Sequence, residues 1–388
     1  MVVLVLTLPQ YGLNSLADVF PSLLAGLGVP REVDRLGLEL DARRVCVLLI
    51  DGLGAEQLAA HAGDAPFLSS AVGRTITAGF PTTTATSLSS LGIGVPPGEH
   101  GLVGYLLRVP GQDRLMSPLK WRLFGDGPKV DLLKELAPEQ FQPHTTVFER
   151  AAADGVAVTH VGPIFQAGSG LTRASFRGSE FRFDVSLGDL IDGTLTALGQ
   201  GERSLVYAYH ADLDTTGHVR GPGSLAWRLE LGMVDRTVQA IAERLPKDAA
   251  LLVTADHGMV AMHDRIDFDT TTALHDGVAD LGGEARARHV YTENGAATDV
   301  AAAWREVLGA NYTVLTRDEA IRDGWFGPTV LTENASRIGD VIAVAGDHGG
   351  IIRSAVEPLQ SSFLGQHGSL TSAEMHILLL VFRGAQVS

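Results

Sequence analysis

Six side chains able to bind a metal stand at the ends of apolar runs in this 388-residue chain. Asp51 closes "VCVLLID"; Asp214 and His218 lie four apart in "ADLDTTGHVRG" after "SLVYAY". Asp256 and His257 are adjacent in "LLVTADHGM", and His367 sits in "FLGQHGSLT" just before "HILLLVF". Adjacent strand residues point to opposite faces, so Asp256 and His257 share one ion only if the chain turns there, which Gly258 permits. Mixed carboxylate and imidazole donors suit zinc and its transition-metal neighbours, and six are too many for one tetrahedral ion. Two ions about 4 Å apart would use them, holding the attacking and leaving oxygens of a phosphoryl displacement. The stretch "GFPTTTATSLSS" adds Thr82, Thr83, Thr84 and Thr86 between a turn and a helix start. Alone these are turn and cap hydroxyls. Beside a divalent cation, a threonine hydroxyl loses its proton more readily and becomes a nucleophile.

The runs "VCVLLIDGLG", "VAVTHVGP", "SLVYAYHADLD", "ALLVTADHGM" and "DVIAVAGDHGG" are separated by helix-length segments such as "WRLELGMVDRTVQAIAERL". Such continuous apolar runs predict buried strands of an α/β fold, a mostly parallel central sheet flanked by helices. Ligands of such sheets bind beyond the carboxyl ends of the strands, where these acids and histidines fall.

With 45% hydrophobic residues the chain can bury a large core. We take 1–388 as a single catalytic domain. Turn residues crowd residues 262–345, which predicts a cap or insertion, and about 106–150 reads as a smaller one. A net charge of −15 leaves no basic stripe for a nucleic-acid polymer. An anionic substrate therefore needs a local positive centre, which a metal supplies. The single cysteine, Cys46, lies in "VCVLLI" and reads as a small core residue of a reducing compartment. The start "MVVLVLTLP" lacks a basic leader, and no run reaches the roughly 18 apolar residues of a membrane span. The expected location is cytoplasmic, with no membrane partner; the pattern says nothing of oligomeric state.

The ordered set "VLLIDGLG", "FPTTTATSLSSLGIGVPPGEHG", "DLDTTGHVRG", "VTADHGM" and "GQHGSLT" resembles the alkaline phosphatase superfamily, most of all its nucleotide pyrophosphatase/phosphodiesterase branch. The resemblance runs from about residue 45 to 380 in family order. It implies that Thr84 is the nucleophile of a phosphoester hydrolase. It further implies one zinc held by Asp51, Thr84, Asp256 and His257, and a second held by Asp214, His218 and His367. The implied course is in-line attack by Thr84, a covalent phospho-threonine and its hydrolysis, on a small phosphoester or nucleotide-like substrate.

Two positions depart from the pattern. Where nucleotide-cleaving members place a base-stacking aromatic and a phosphoryl-binding Asn, this chain has Ala85 and Ser87. Ser87 still offers one hydrogen bond to a phosphoryl oxygen. Tyr105 and Trp121 are aromatics available for stacking. Arg286, Arg288 and His289 in "GEARARHVY" are candidates for phosphate or leaving-group contact. His100 is expected to fix its loop, and His210, His263 and His348 to stay off the metals.

Other superfamily activities, phosphomonoesterase or phosphonate hydrolase, share much of such a site; the Cys/Ser-x-Pro-x-Arg loop of sulfatases is absent around Thr84. "ADLDTTGH" also resembles the haloacid dehalogenase motif, with Asp212 as nucleophile, Asp214 as acid and magnesium as the ion. That reading leaves "TADHGM" without a role. A protein that binds a phosphoester without cleaving it is the non-enzymatic alternative.

Overall fold

The structure, a computed structural model, describes residues 5–384. The first four residues of the apolar start lie outside the described residues. Eleven strands matter here. They are β1 (Arg44–Ile50), β2 (Gly73–Thr77), β3 (Ala157–Pro163), β4 (Glu180–Asp184), β5 (Ser204–His210) and β6 (Ala249–Thr254). They continue with β7 (Val278–Glu284), β8 (Ala287–Thr292), β9 (Tyr312–Thr316), β10 (Val341–Ala345) and β11 (His376–Arg383).

A seven-stranded sheet runs in the order β2-β11-β6-β1-β5-β3-β4. Its pairings are parallel except those of β11, which is antiparallel to β6 and β2. The expected mostly parallel α/β architecture is therefore present. Strands β1, β5 and β6 are buried along almost their whole length, which is why they read as unbroken apolar runs. Register does the positioning. Ile50 pairs with His210 and Leu49 with Thr254, so the carboxyl ends of β1, β5 and β6 stop at one level. Asp51, the segment carrying Asp214, and Asp256 leave the sheet side by side.

Helices α1 (Thr84–Ile93), α2 (Asp212–Arg220) and α3 (Leu225–Ala242) support that edge, and α4 (Ala297–Leu308) lies further on. In α3, Trp227, Leu231, Val234, Val238 and Ile241 are buried at alternating spacings of four and three, one stripe against the sheet. Burying each contributes about 1.5–3 kcal/mol. Ser224 caps the helix by accepting from the Trp227 N–H. Helix α1 is buried on every side, and its small residues make that possible. The hydroxyls of Ser89 and Ser90 satisfy themselves on the carbonyls of Ala85 and Thr86 at 2.7 and 3.0 Å.

One expected strand belongs elsewhere. The run "DVIAVAG" forms β10, which joins a separate sheet in the order β7-β8-β10-β9. Its pairings with β8 and β9 are antiparallel. Both faces of β10 are covered, so its sequence is as apolar as a parallel strand's, and apolarity alone cannot give direction. Trp304, Val300 and Leu308 of α4 cover this sheet and form a second core with Leu281, Val314 and Val341. This small α/β unit occupies much of the turn-rich stretch marked off at 262–345.

Candidate metal centre

Thr84 is the first residue of α1, with extended Thr83 as its N-cap. The first bond back along the helix runs from Ser87 N–H to Thr83 O at 2.9 Å, so the N–H groups of Thr84, Ala85 and Thr86 precede the ladder. They and the helix dipole favour an anion there. The Thr84 hydroxyl lies 3.3 Å from His257 Nε2. His257 Nε2 is in turn 3.3 Å from Asp256 Oδ2 and 3.6 Å from Asp51 Oδ1. Asp51, Asp256 and His257 thus form one cluster of donor atoms, and Asp214, His257 and His367 a second. His218 joins the latter, with Nε2 3.2 Å from His367 Nε2 and 3.3 Å from Asp214 Oδ2. All seven residues expected at the metals meet in one place, with His257 between the two groups.

The surrounding hydrogen bonds prepare these side chains for cations. Each of the three histidines donates Nδ1–H to a backbone carbonyl: His257 to Gly258 (3.0 Å), His218 to Gly365 (2.8 Å) and His367 to Thr82 (2.7 Å). That fixes the tautomer and turns the Nε2 lone pair inward. Each carboxylate keeps one buried oxygen without a partner, namely Asp51 Oδ1, Asp214 Oδ1 and Asp256 Oδ2. The other Asp51 oxygen accepts from Tyr209 OH at 2.5 Å, and Asp256 Oδ1 accepts from Gly52 N–H at 3.1 Å. Orphaned buried oxygens are costly unless something fills them. Burial, with Asp256 and Asp214 adding repulsion, pushes the Asp51 carboxyl well above the usual range. Burial also raises Asp256 and drives His367 down. Asp214 and His218 go the other way: against burial, His218 holds the Asp214 carboxyl below the usual range, and Asp214 in turn raises His218. Buried oxygens without partners and inward lone pairs, gathered in one place, fit divalent cations.

Thr82 staples the two halves together. Its hydroxyl donates to Ser369 O and accepts from Gly368 N–H, both at 2.9 Å, which ties the His367 loop to the threonine turn. Thr82 is therefore scaffolding, as expected.

Two pockets meet at Thr84, Asp214, Leu119 and Lys120. One, of about 270 Å³, is lined by Tyr105, Glu284, Phe363 and His367 among others. The other, of about 340 Å³, runs past Asp51, Tyr209, Phe176 and Phe165. A larger depression of about 640 Å³ beside Arg31 and Arg150 shares no residue with the site.

The four expected substrate contacts are elsewhere. Arg286 is fully buried and forks onto Glu374 at 2.7 and 2.9 Å; Arg288 is equally buried against Glu357. Both side chains are committed to buried ion pairs and line neither pocket, so neither faces a phosphate bound at Thr84. His289 is buried, accepts from Gly339 N–H through Nδ1 and lines neither pocket. Ser87 is fully buried, its hydroxyl unpartnered, and it too lines neither pocket. Trp121 is a core residue, whereas Tyr105 does line the smaller pocket. His100 holds its loop through Ser90 and the Leu102 N–H. Asp212 is exposed and groups its carboxylate with His210 and Glu230, but none of the three lines either pocket, so the haloacid dehalogenase alternative has its nucleophile outside the cavities at Thr84. Tyr209, Lys120, Phe165 and Glu284 were not singled out from the sequence. Of these only Glu284 carried a signal, as the acid heading the "GEARARHVY" run that drew attention for its arginines.

A type I phosphodiesterase / nucleotide pyrophosphatase family model matches residues 45–370. The chain belongs to this family. Among solved structures, murine ectonucleotide pyrophosphatase / phosphodiesterase 5 is similar at 20% identity and a TM-score of 0.66, over 88% of each chain. So is phosphonoacetate hydrolase from Sinorhizobium meliloti, with phosphonoformate, at 20% identity and a TM-score of 0.65 over 90% of this chain and 92% of that one. A human relative, the catalytic subunit of GPI ethanolamine phosphate transferase 3, is 29% identical over 75 residues, 19% of this chain but only 7% of that protein. Family membership makes the chain a phosphoester hydrolase. Among the described residues no helix is long and apolar enough to cross a membrane.

Proposed function

We propose that this chain is a phosphodiesterase with nucleotide pyrophosphatase-like chemistry, using Thr84 as nucleophile and two zinc ions. The observation that carries the reading is the placement of Thr84: it opens a buried helix, touches the ligand cluster and stands where two pockets join. A diester has two arms, and one pocket on each side of the attacked phosphorus accommodates both. Asp51, Thr84, Asp256 and His257 would hold one ion, and Asp214, His218 and His367 the other. When bound, the ions lower the pKa of the threonine hydroxyl and offset negative charge on the phosphoryl oxygens. Thr84 then attacks phosphorus in line, one alcohol or phosphate leaves, and the phospho-threonine is hydrolysed to release the other half. The N–H groups of the first turn of α1 face the charge that develops on phosphorus. Murine ectonucleotide pyrophosphatase / phosphodiesterase 5 has been solved as an inactive threonine-to-alanine form with AMP, which supports a threonine nucleophile and a nucleotide-like arm here. The unpaired buried Cys46 supports a reducing, cytoplasmic setting.

The test is metal analysis of the purified protein together with turnover of bis-p-nitrophenyl phosphate against p-nitrophenyl phosphate. About two zinc ions per chain and preference for the diester are expected. Preference for the monoester would move the assignment to a phosphomonoesterase. Absence of any transition metal together with no turnover would remove the reading.

A further inference from the structure

The smaller pocket contains an acid that the hydrolytic chemistry does not use. Glu284 ends β7, is 8% exposed and lines the pocket beside Thr83, His367 and Tyr105. Neither Oε1 nor Oε2 meets a partner in hydrogen-bond geometry. The two arginines nearest in sequence pair elsewhere, Arg286 with Glu374 and Arg288 with Glu357, and each also donates to a backbone carbonyl, of Gly349 and Ile351 respectively. Lys120, at the rim, is exposed and within ion-pair distance of no carboxylate among the described residues. Glu284 also sits hard against the metal side of the pocket. A Cβ on Gly368, next to His367, would lie 2.6 Å from Glu284 Cγ. Gly368 has φ +135°, a backbone that side chains rarely adopt, so this close approach requires glycine.

We propose that Glu284 selects substrates in which one ester arm carries a protonated amine a short chain away from phosphorus. The proposal rests on the phosphoester reading of the site and specifies what its smaller pocket takes. A buried carboxylate with no hydrogen bond in good geometry and no cation at ion-pair distance costs stability unless the ligand supplies donors, and the pull of Thr83 and Arg288 does not outweigh its burial. A hydroxyl supplies one hydrogen and no charge; an ammonium supplies three and the missing positive charge. The remaining walls fit an alkyl ammonium. Tyr105 and Phe363 present aromatic rings, and Leu359, Leu119 and Ala285 present hydrocarbon to the methylenes. The Tyr105 hydroxyl already accepts from Gln360 Nε2 at 3.1 Å, which holds the ring in place. Burial pushes the Glu284 carboxyl up to about 8, with Glu374 and Glu357 raising it and Thr83 and Arg288 opposing. An arriving ammonium reverses that balance and restores the carboxylate.

Calorimetric titration of the zinc-loaded protein with 2-aminoethylphosphonate, 2-hydroxyethylphosphonate and propylphosphonate tests this. The three differ only in the group offered to Glu284. The amine is expected to bind about tenfold or more tighter than the propyl compound, since charge-assisted hydrogen bonds to a buried acid are worth that much. In Glu284→Gln that ratio should fall towards one. Equal binding of all three by the native protein, binding of none, or a hydroxyl compound as tight as the amine overturns the proposal. So does a ratio that survives in Glu284→Gln. The comparison within the native protein stands even if the variant fails to fold. Turnover of bis-p-nitrophenyl phosphate is measured in parallel. Turnover without amine preference removes this proposal alone, and amine preference without turnover removes the diesterase reading alone.

Discussion

Thr84 Oγ1 stands 3.3 Å from His257 Nε2, and the other nitrogen of that ring is committed to the Gly258 carbonyl. The inward nitrogen is therefore a lone pair, and the hydroxyl shares its neighbourhood with whatever that lone pair binds. Substituting Thr84→Ala is expected to lower kcat for bis-p-nitrophenyl phosphate by about three orders of magnitude or more while most zinc stays bound. Thr84→Ser, which keeps a hydroxyl, should retain measurable turnover. An alanine variant as active as the native protein would remove Thr84 as nucleophile.

Orphaned oxygens on Asp51, Asp214 and Asp256 make the site costly when empty of cations. Dialysis against a chelator should therefore abolish turnover and lower Tm, and added zinc should restore both. Each ion present at a hundredfold excess over its Kd adds about 2.7 kcal/mol to the folded state. Asp214→Asn is expected to reduce the zinc content by about one ion per chain. A Tm indifferent to chelation would show that these oxygens face no metal.

What the sequence made legible followed from strand ends. Asp51, Asp214, Asp256 and His257 lie at or shortly beyond the carboxyl ends of parallel strands, and the Ile50–His210 and Leu49–Thr254 pairings bring those ends to one level. Their types and positions were enough to group them. The second sheet was not legible in the same way. Val341–Ala345 has the composition of a parallel strand because both its faces are buried, and strand direction leaves no trace in such a run. The charged run 286–289 misled for a related reason. Arginines on a short strand look like a surface face until the partners appear, and Glu374 and Glu357 are 88 and 69 residues away. Glu284 went unmentioned because the pocket that gives it meaning is assembled from residues far apart in the chain, Thr83, Tyr105 and His367 among them.

That difference makes Arg286 a test of stability instead of binding. Both members of the Arg286–Glu374 pair are fully buried, so removing one leaves the other charged and uncompensated. Arg286→Met is expected to cost about 3–5 kcal/mol in urea unfolding. KM for the folded fraction should stay near the native value. A raised KM with unchanged stability would return Arg286 to the substrate.

Glu284 gives the metal-free protein a pH-dependent stability whose sign can be worked out. Its carboxyl is raised by burial from an ordinary value of 4.5 to about 8. At low pH both folded and unfolded chains hold this proton, so Glu284 adds no pH dependence. Above about 4.5 the unfolded chain releases the proton while the folded chain keeps it, so stability falls as pH rises, at up to about 1.4 kcal/mol per pH unit. The loss levels off once pH passes about 8, where the folded chain ionises as well. Glutamine at this position has no proton to release. The stability of Glu284→Gln relative to the native chain should therefore increase by a few kcal/mol between about pH 5 and pH 8. Paired urea unfolding curves across that window check this, and taking the difference cancels Asp51 and Asp256, which are common to both chains. A difference that stays flat with pH would mean that Glu284 is already ionised in the folded protein.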